Sequence, residues 1–121
     1  MTTILVVDDE ASIVQLLSML LEEEGYRVVT AHNGQEGLEH LATAQPALVL
    51  CDVMMPVLDG RELCRKMGSD PRYRSIPIIL MTAVSKSFNA PDCNCAALLT
   101  KPFELDDVLA VVARLTAPTS A

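Results

Sequence analysis

Ile4-Leu5-Val6-Val7 is an uninterrupted run of apolar side chains that stops at Asp8-Asp9. Successive side chains of a strand point to opposite faces, so a run that is apolar throughout has no face to offer to water. It must lie inside a sheet covered on both sides, which is the signature of parallel sheets flanked by helices. The pattern recurs along the chain. Tyr26 to Ala31 ends at His32-Asn33, Ala47 to Cys51 at Asp52, Ile76 to Met81 at Thr82, and Ala97 to Thr100 at Lys101. Pro77 suits the opening of its run rather than the middle, because proline has no N–H for a ladder.

The hydrophobic period changes between these runs. Ile13, Leu16, Leu17, Leu20 and Leu21 fall at the spacing of one helical face, and Gly25 is placed to end that helix. Asn33 with Glu36, and Asp59 with Glu62, stand three residues apart as helix-capping pairs. Leu38 and Leu41 follow the first pair inward, and Leu63 and Met67 the second. After Pro102, the positions of Leu105, Val108, Leu109 and Val112 predict a last amphipathic helix. Ser85 to Pro91 shows no helical stripe and contains a breaker, so a short or irregular fourth helix is expected there. Strand and helix alternating five times imply an α/β fold, a single doubly wound sheet of five parallel strands. One domain over residues 1–116 is expected, with 117–121 as a C-terminal tail or linker.

The chain has 121 residues, half of them hydrophobic, with no Trp, two Tyr and two Phe. Aliphatic side chains therefore make the core, and at this length they suffice for one. Nine basic against 16 acidic residues leave a net charge of −7, which argues against direct nucleic-acid binding. The apolar runs are too short for membrane insertion or a signal-peptide core. Four cysteines without an export signal point to free thiols and a cytoplasmic location.

Ligands of doubly wound sheets sit beyond the carboxyl ends of the strands. Reading those ends in turn gives Asp8 and Asp9, then Asp52, Thr82 and Lys101. Each alone has an ordinary explanation: Asp8 and Asp9 could cap the first helix, and Lys101 could be a solvated loop lysine. Together they form a set. Three carboxylates on one rim repel unless a cation or protons join them. Mg²⁺, which takes one or two carboxylates and keeps other oxygen ligands, meets that need. Such a site suits phosphoryl transfer, with a carboxylate as nucleophile and Lys and Thr holding the other oxygens.

As an ordered set, these residues resemble the receiver domain of two-component response regulators. The resemblance runs from Ile4 to about Leu115. It rests on Asp8-Asp9, on Asp52-Val53-Met54-Met55-Pro56 with Asp59-Gly60, on Thr82-Ala83 and on Lys101-Pro102-Phe103. It implies a flavodoxin-like strand order 2-1-3-4-5. It makes Asp52 the phosphoacceptor for a phosphohistidine of a sensor histidine kinase or histidine phosphotransfer protein. Asp9, Asp52 and the backbone carbonyl of Met54 would ligate Mg²⁺, with Asp8 acting mainly through a water on the metal. Thr82 would bind a phosphoryl oxygen, and Lys101 the phosphate or, before modification, Asp52. The Lys101–Pro102 bond is cis in the family. The module would transfer and lose phosphate without being an enzyme in the turnover sense, and would act on an output domain or a downstream protein.

The chain departs from the family at Leu98, three positions before the lysine, where an aromatic side chain usually turns with the switch. Leu98 is read as a plain core residue, leaving either an unconventional output face or a phosphate relay. Met54 and Val84 are apolar where the family tunes phosphoryl lifetime, which predicts a long-lived adduct. Cys51 and Cys64 are expected as small buried hydrophobes; Cys93 and Cys95 lack the partners of a metal site. His32 and His40 are expected on exposed helix or loop. Two alternatives stay open. A haloacid-dehalogenase-like phosphatase shares the nucleophile, Thr and Lys, but its Asp-x-Asp motif has Glu10 in second place here. An interaction-only receiver with an atypical face is the other.

Overall fold

Every apolar run forms a strand in the computed structural model, which describes residues 2–82 and 95–116. The strands are β1 (Thr3–Val7), β2 (Arg27–Ala31), β3 (Leu48–Asp52), β4 (Ile78–Thr82) and β5 (Ala97–Thr100). The helices are α1 (Ala11–Glu23), α2 (Gly34–Ala44), α3 (Gly60–Ser69) and α4 (Leu105–Thr116). All pairings are parallel, in the order β2-β1-β3-β4-β5, as expected. The expected short fourth helix, Val84, Cys93 and the tail lie outside the described residues.

The central strands are buried on both faces, and their alternate side chains feed two separate cores. Leu5, Val7, Val49, Cys51, Ile78 and Leu80 face α2 and α3, meeting Leu41, Leu63 and Met67. Ile4, Val6, Leu48, Leu50, Ile79 and Met81 face the other way, meeting Val14, Leu17 and Leu21 of α1 and Val108 and Val112 of α4. This two-sided burial is why the strands read as unbroken apolar runs. Among the described residues no helix is long and apolar enough to cross a membrane.

Several boundaries shift for identifiable reasons. Tyr26 closes α1 rather than opening β2. Its N–H donates to Leu21 O at 3.1 Å and that of Gly25 to Glu22 O at 3.0 Å. This is a Schellman turn, with Gly25 at φ +92°. Ile76 likewise belongs to the preceding turn, donating to Tyr73 O, and Pro77 offers only its carbonyl, to Val49 N. On α1 the buried stripe is Val14, Leu17 and Leu21, while Leu16 lies off it and is 43% exposed. His32 is exposed as expected, but His40 is half-buried.

The two capping pairs hold. Glu36 N donates to Asn33 Oδ1, and Glu62 N to Asp59 Oδ1, each at 2.9 Å. Glu36 turns its carboxylate back to the N–H of His32 at 3.1 Å, one residue earlier than a capping box would place it. Replacing Asn33 by alanine should cost about 1 kcal/mol. Denaturant unfolding would show this as a lower midpoint with an unchanged slope.

Candidate functional site

The loops after β1, β3, β4 and β5 converge because parallel strands all end at one rim. Backbone hydrogen bonds fasten each loop to the neighbouring strand just where its polar residue emerges. Asp8 N donates to Ala31 O at 3.1 Å, Val53 N to Met81 O at 2.9 Å and Lys101 N to Thr82 O at 2.7 Å. The Lys101–Pro102 bond is cis, as the resemblance implied.

Asp8 is fully buried, Asp52 is 8% and Thr82 is 4% exposed, and Asp9 faces solvent. One carboxylate oxygen from each of Asp8, Asp9 and Asp52 lies within 4.8 Å of the other two. Lys101 Nζ lies between two of them, 3.2 Å from Asp8 Oδ2 and 3.3 Å from Asp52 Oδ1. Asp8 and Asp9 do not cap α1. The capping position is Glu10, which makes no side-chain cap bond; its N–H instead donates to Asp8 Oδ1 at 2.9 Å. The other oxygen of Asp8, Oδ2, meets Lys101 Nζ, so the carboxylate serves the cluster rather than the helix.

Electrostatics follow from this crowding. Burial raises the Asp8 carboxyl above its ordinary 3.8, against the opposing pull of the Glu10 N–H and the Lys101 charge. Asp52 is also raised, by burial first and then by the Asp8 charge, with Lys101 compensating only in part. Burial acts to lower Lys101, but the charges of Asp8 and Asp52 outweigh it and the ammonium is held above 10.5. The cluster thus carries more negative charge than one lysine balances, and its donors are hard oxygens. Mg²⁺ fits that donor set.

Thr82 ends β4 in register with Thr100, one residue before Lys101. The Met54 side chain points away from the protein body, 72% exposed. Cys51 and Cys64 are buried as expected, and burial pushes the Cys51 thiol well up. Leu98 is not a core residue. It is 39% exposed on the edge strand β5, although its β4 partner Leu80 is fully buried and the next residue, Leu99, is 8% exposed.

Two features of the site escaped the sequence reading. The β3–α3 loop is clasped by glycines: Gly34 N donates to Leu58 O at 3.0 Å and Gly60 N to Val53 O at 2.9 Å. Val57, between them, has φ +72°. Gly60 in the Asp59-Gly60 pair was visible in the sequence, but nothing flags a positive φ at a valine.

Comparison with known proteins agrees with this geometry. The response regulator receiver domain family matches residues 4–113. The alkaline phosphatase synthesis transcriptional regulatory protein PhoP of Bacillus subtilis is 41% identical over 90% of this chain and 46% of its own length. Response regulator Rre1 of Synechocystis is 34% identical over 98% of this chain and 53% of its own. The chain thus spans about half the length of these relatives. A putative response regulator from Chloroflexus aurantiacus superposes with a TM-score of 0.89 at 30% identity, covering 97% of this chain and 98% of that one. The receiver domain of a Pseudomonas aeruginosa sensor histidine kinase, solved with magnesium in its active-site cleft, gives 0.89 at 25% identity with the same coverage. The five-stranded order, the acidic rim and these likenesses agree: the chain belongs to the response regulator receiver domain family of two-component signalling.

Proposed function

We propose that Asp52 accepts a phosphoryl group from the phosphohistidine of a sensor histidine kinase or histidine phosphotransfer protein. The observation that carries this reading is Lys101 Nζ held between Asp8 and Asp52 while Asp9 completes the carboxylate cluster. A carboxylate oxygen of Asp52 attacks phosphorus, a P–O bond forms, and the P–N bond breaks with its electron pair left on the imidazole nitrogen, which takes up a proton. The product is an aspartyl phosphate. Lys101 exchanges its contact with Asp52 for the phosphoryl oxygens, and the Thr82 hydroxyl donates to one of them. Asp8, Asp9, Asp52 and the Met54 carbonyl would hold Mg²⁺, which when bound supplies positive charge against the phosphoryl oxygens. Residues 1–116 would act as one cytoplasmic signalling module that hands its state to an output domain or a downstream protein.

The test is incubation of the chain with acetyl phosphate and Mg²⁺ followed by intact mass. One phosphoryl adduct is expected in the wild type, and none in Asp52→Asn or with excess EDTA. An adduct that persists in Asp52→Asn would overturn the assignment. Efficient turnover of a phosphomonoester would favour the phosphatase alternative.

A further inference from the structure

Arg61, Arg65, Lys66, Arg72 and Arg74 are five of the chain's nine basic residues, and all five are exposed. Only Glu62 and Asp70 oppose them, so residues 61–74 carry +3 within a chain of net charge −7. Helix electrostatics accounts for Lys66 alone, which stands in the last turn of α3, where the dipole favours a cation. Arg61 stands in the first turn, where the dipole disfavours one, and Arg74 lies beyond the helix end. Among the described residues Arg61, Lys66 and Arg74 form no ion pair.

This charge surrounds apolar clefts. Two of them, of about 380 and 410 Å³, lie between the ends of α2 and α3 and share Ala42, Arg72 and Tyr73. Leu38, Leu41 and Ile76 supply apolar surface, and Lys66 borders the larger cleft. A third, of about 300 Å³, also touches Tyr73 and reaches Met67 and Arg74. Tyr73 is 8% exposed, and the Arg72 guanidinium lies over its ring at 4.7 Å. The turn that carries them is fixed. Tyr73 N and Arg74 N both donate to Asp70 O at 2.9 Å, and Arg72 pairs with Asp70 at 2.9 Å. Helices return the chain from the ends of the strands to their beginnings, so this groove lies at the rim opposite Asp52.

We propose that the groove at the ends of α2 and α3 docks an acidic peptide segment of a partner protein. Its apolar side chains enter the clefts around Tyr73, and its carboxylates meet Lys66 and Arg74. An apolar floor beside an unpaired charged border suits a peptide with both kinds of side chain. A nucleic acid would meet the same cations, but it would also feel the field of a chain at −7 and has no apolar side chains for the clefts. The fixed turn presents the border without an ordering cost on association. This surface does not depend on the phosphoacceptor reading of Asp52.

The probe is a fluorescent peptide of about twelve glutamate and leucine residues, with the leucines at helical spacing. Anisotropy titration should show saturable binding that weakens at least about fivefold from about 0.05 to about 0.5 M NaCl. Replacing its leucines by serine should weaken it about tenfold, the scale of burying one or two apolar side chains. On the protein, Lys66→Glu with Arg74→Glu should weaken binding at least about tenfold, since each turns an attraction into a repulsion. Ala42→Gln, at an exposed position, fills two of the clefts without changing charge and should weaken binding about fivefold. Both variants should keep the wild-type Tm within a few degrees and acetyl phosphate labelling within about twofold, which separates lost docking from lost folding. Absence of binding to the wild type, or wild-type affinity in the charge-reversed variant, would overturn the proposal. So would equal affinity for the serine peptide, or tighter binding of a single-stranded oligonucleotide of the same charge.

Discussion

Replacing Lys101 by methionine should destabilise the metal-free chain by about 3 kcal/mol at pH 7, the scale on which breaking a buried ion pair leaves an uncompensated charge. Lys101 is 18% exposed at its side chain, Asp8 not at all and Asp52 11%, so solvent screens these pairs weakly. Methionine keeps most of the apolar stem and removes only the charge. The loss should depend on pH in a definite direction. Burial already raises Asp8 and Asp52 above 3.8, so folding takes up protons on both, and their ionisation works against the folded state as pH climbs above that value. Lys101 limits the effect, so without it both carboxyls rise further. The gap between variant and wild type should be small near pH 4, widen upward through the raised carboxyl values, and stay wide at neutrality. In the wild type, the lysine's own contribution is complete below 10.5 and fades only as pH passes its raised value. Urea unfolding of both proteins in EDTA across pH 4–8 measures this. Saturating Mg²⁺ should narrow the gap, since a cation bound only to the folded site adds stability by mass action. An equal gap at all pH values would mean that Lys101 acts through its packed stem alone.

The sheet could be read from the sequence because each central strand is buried on both faces, which writes burial directly into the residues: Ile4 to Val7 need no context to be recognised. The rim could be read for a related reason. Parallel strands end on one side, so residues far apart in the chain, such as Asp8 and Lys101, are brought together by topology alone. What the sequence hid is whatever depends on a neighbour. Leu98 carries the same apolar character as Leu99, yet one is 39% and the other 8% exposed, because an edge strand is covered unequally on its two faces. Leu16 fits the helical spacing of α1 and still misses the buried stripe, whose centre falls on Val14, Leu17 and Leu21. Asp8 and Asp9 looked equally able to cap α1, and it is the 3.2 Å contact of Asp8 Oδ2 with Lys101 Nζ that shows the Asp8 carboxylate facing the site. The φ of Val57 is invisible for the same reason: the clasp that imposes it comes from Gly34 and Gly60, outside the turn itself.

The clasp also makes Gly60 the position where the smallest substitution should have the largest effect. Gly60 begins α3 directly after its capping residue Asp59. A methyl group there would meet the Asp52 carbonyl oxygen, with Val53 Cα at 2.9 Å and the Asp52 carbonyl carbon at 3.0 Å. All three are backbone atoms, so no side-chain rotation relieves the overlap. Either α3 must lift from the sheet or the end of β3 must move. Overpacking commonly costs 1–3 kcal/mol, and with rigid neighbours Gly60→Ala should reach about 3 kcal/mol, a fall in Tm of roughly 10 °C for a chain of this size. Phosphorylation should suffer separately from folding. Asp52 is the last residue of β3, and displacing its carbonyl displaces the carboxylate that Lys101 Nζ meets at 3.3 Å. Misplacing a reacting group by about 1 Å can cost 100-fold, so acetyl phosphate labelling at low temperature, where the variant is folded, should slow at least tenfold. Gly68→Ala is the control. It lies in the same helix with nothing within 4 Å of an added Cβ, and the exchange removes the flexibility that makes glycine unfavourable in helices. That variant should be at least as stable as the wild type and label at the same rate. If Gly60→Ala matched Gly68→Ala in both measurements, the contact between α3 and the end of β3 would not be what holds Asp52 in place.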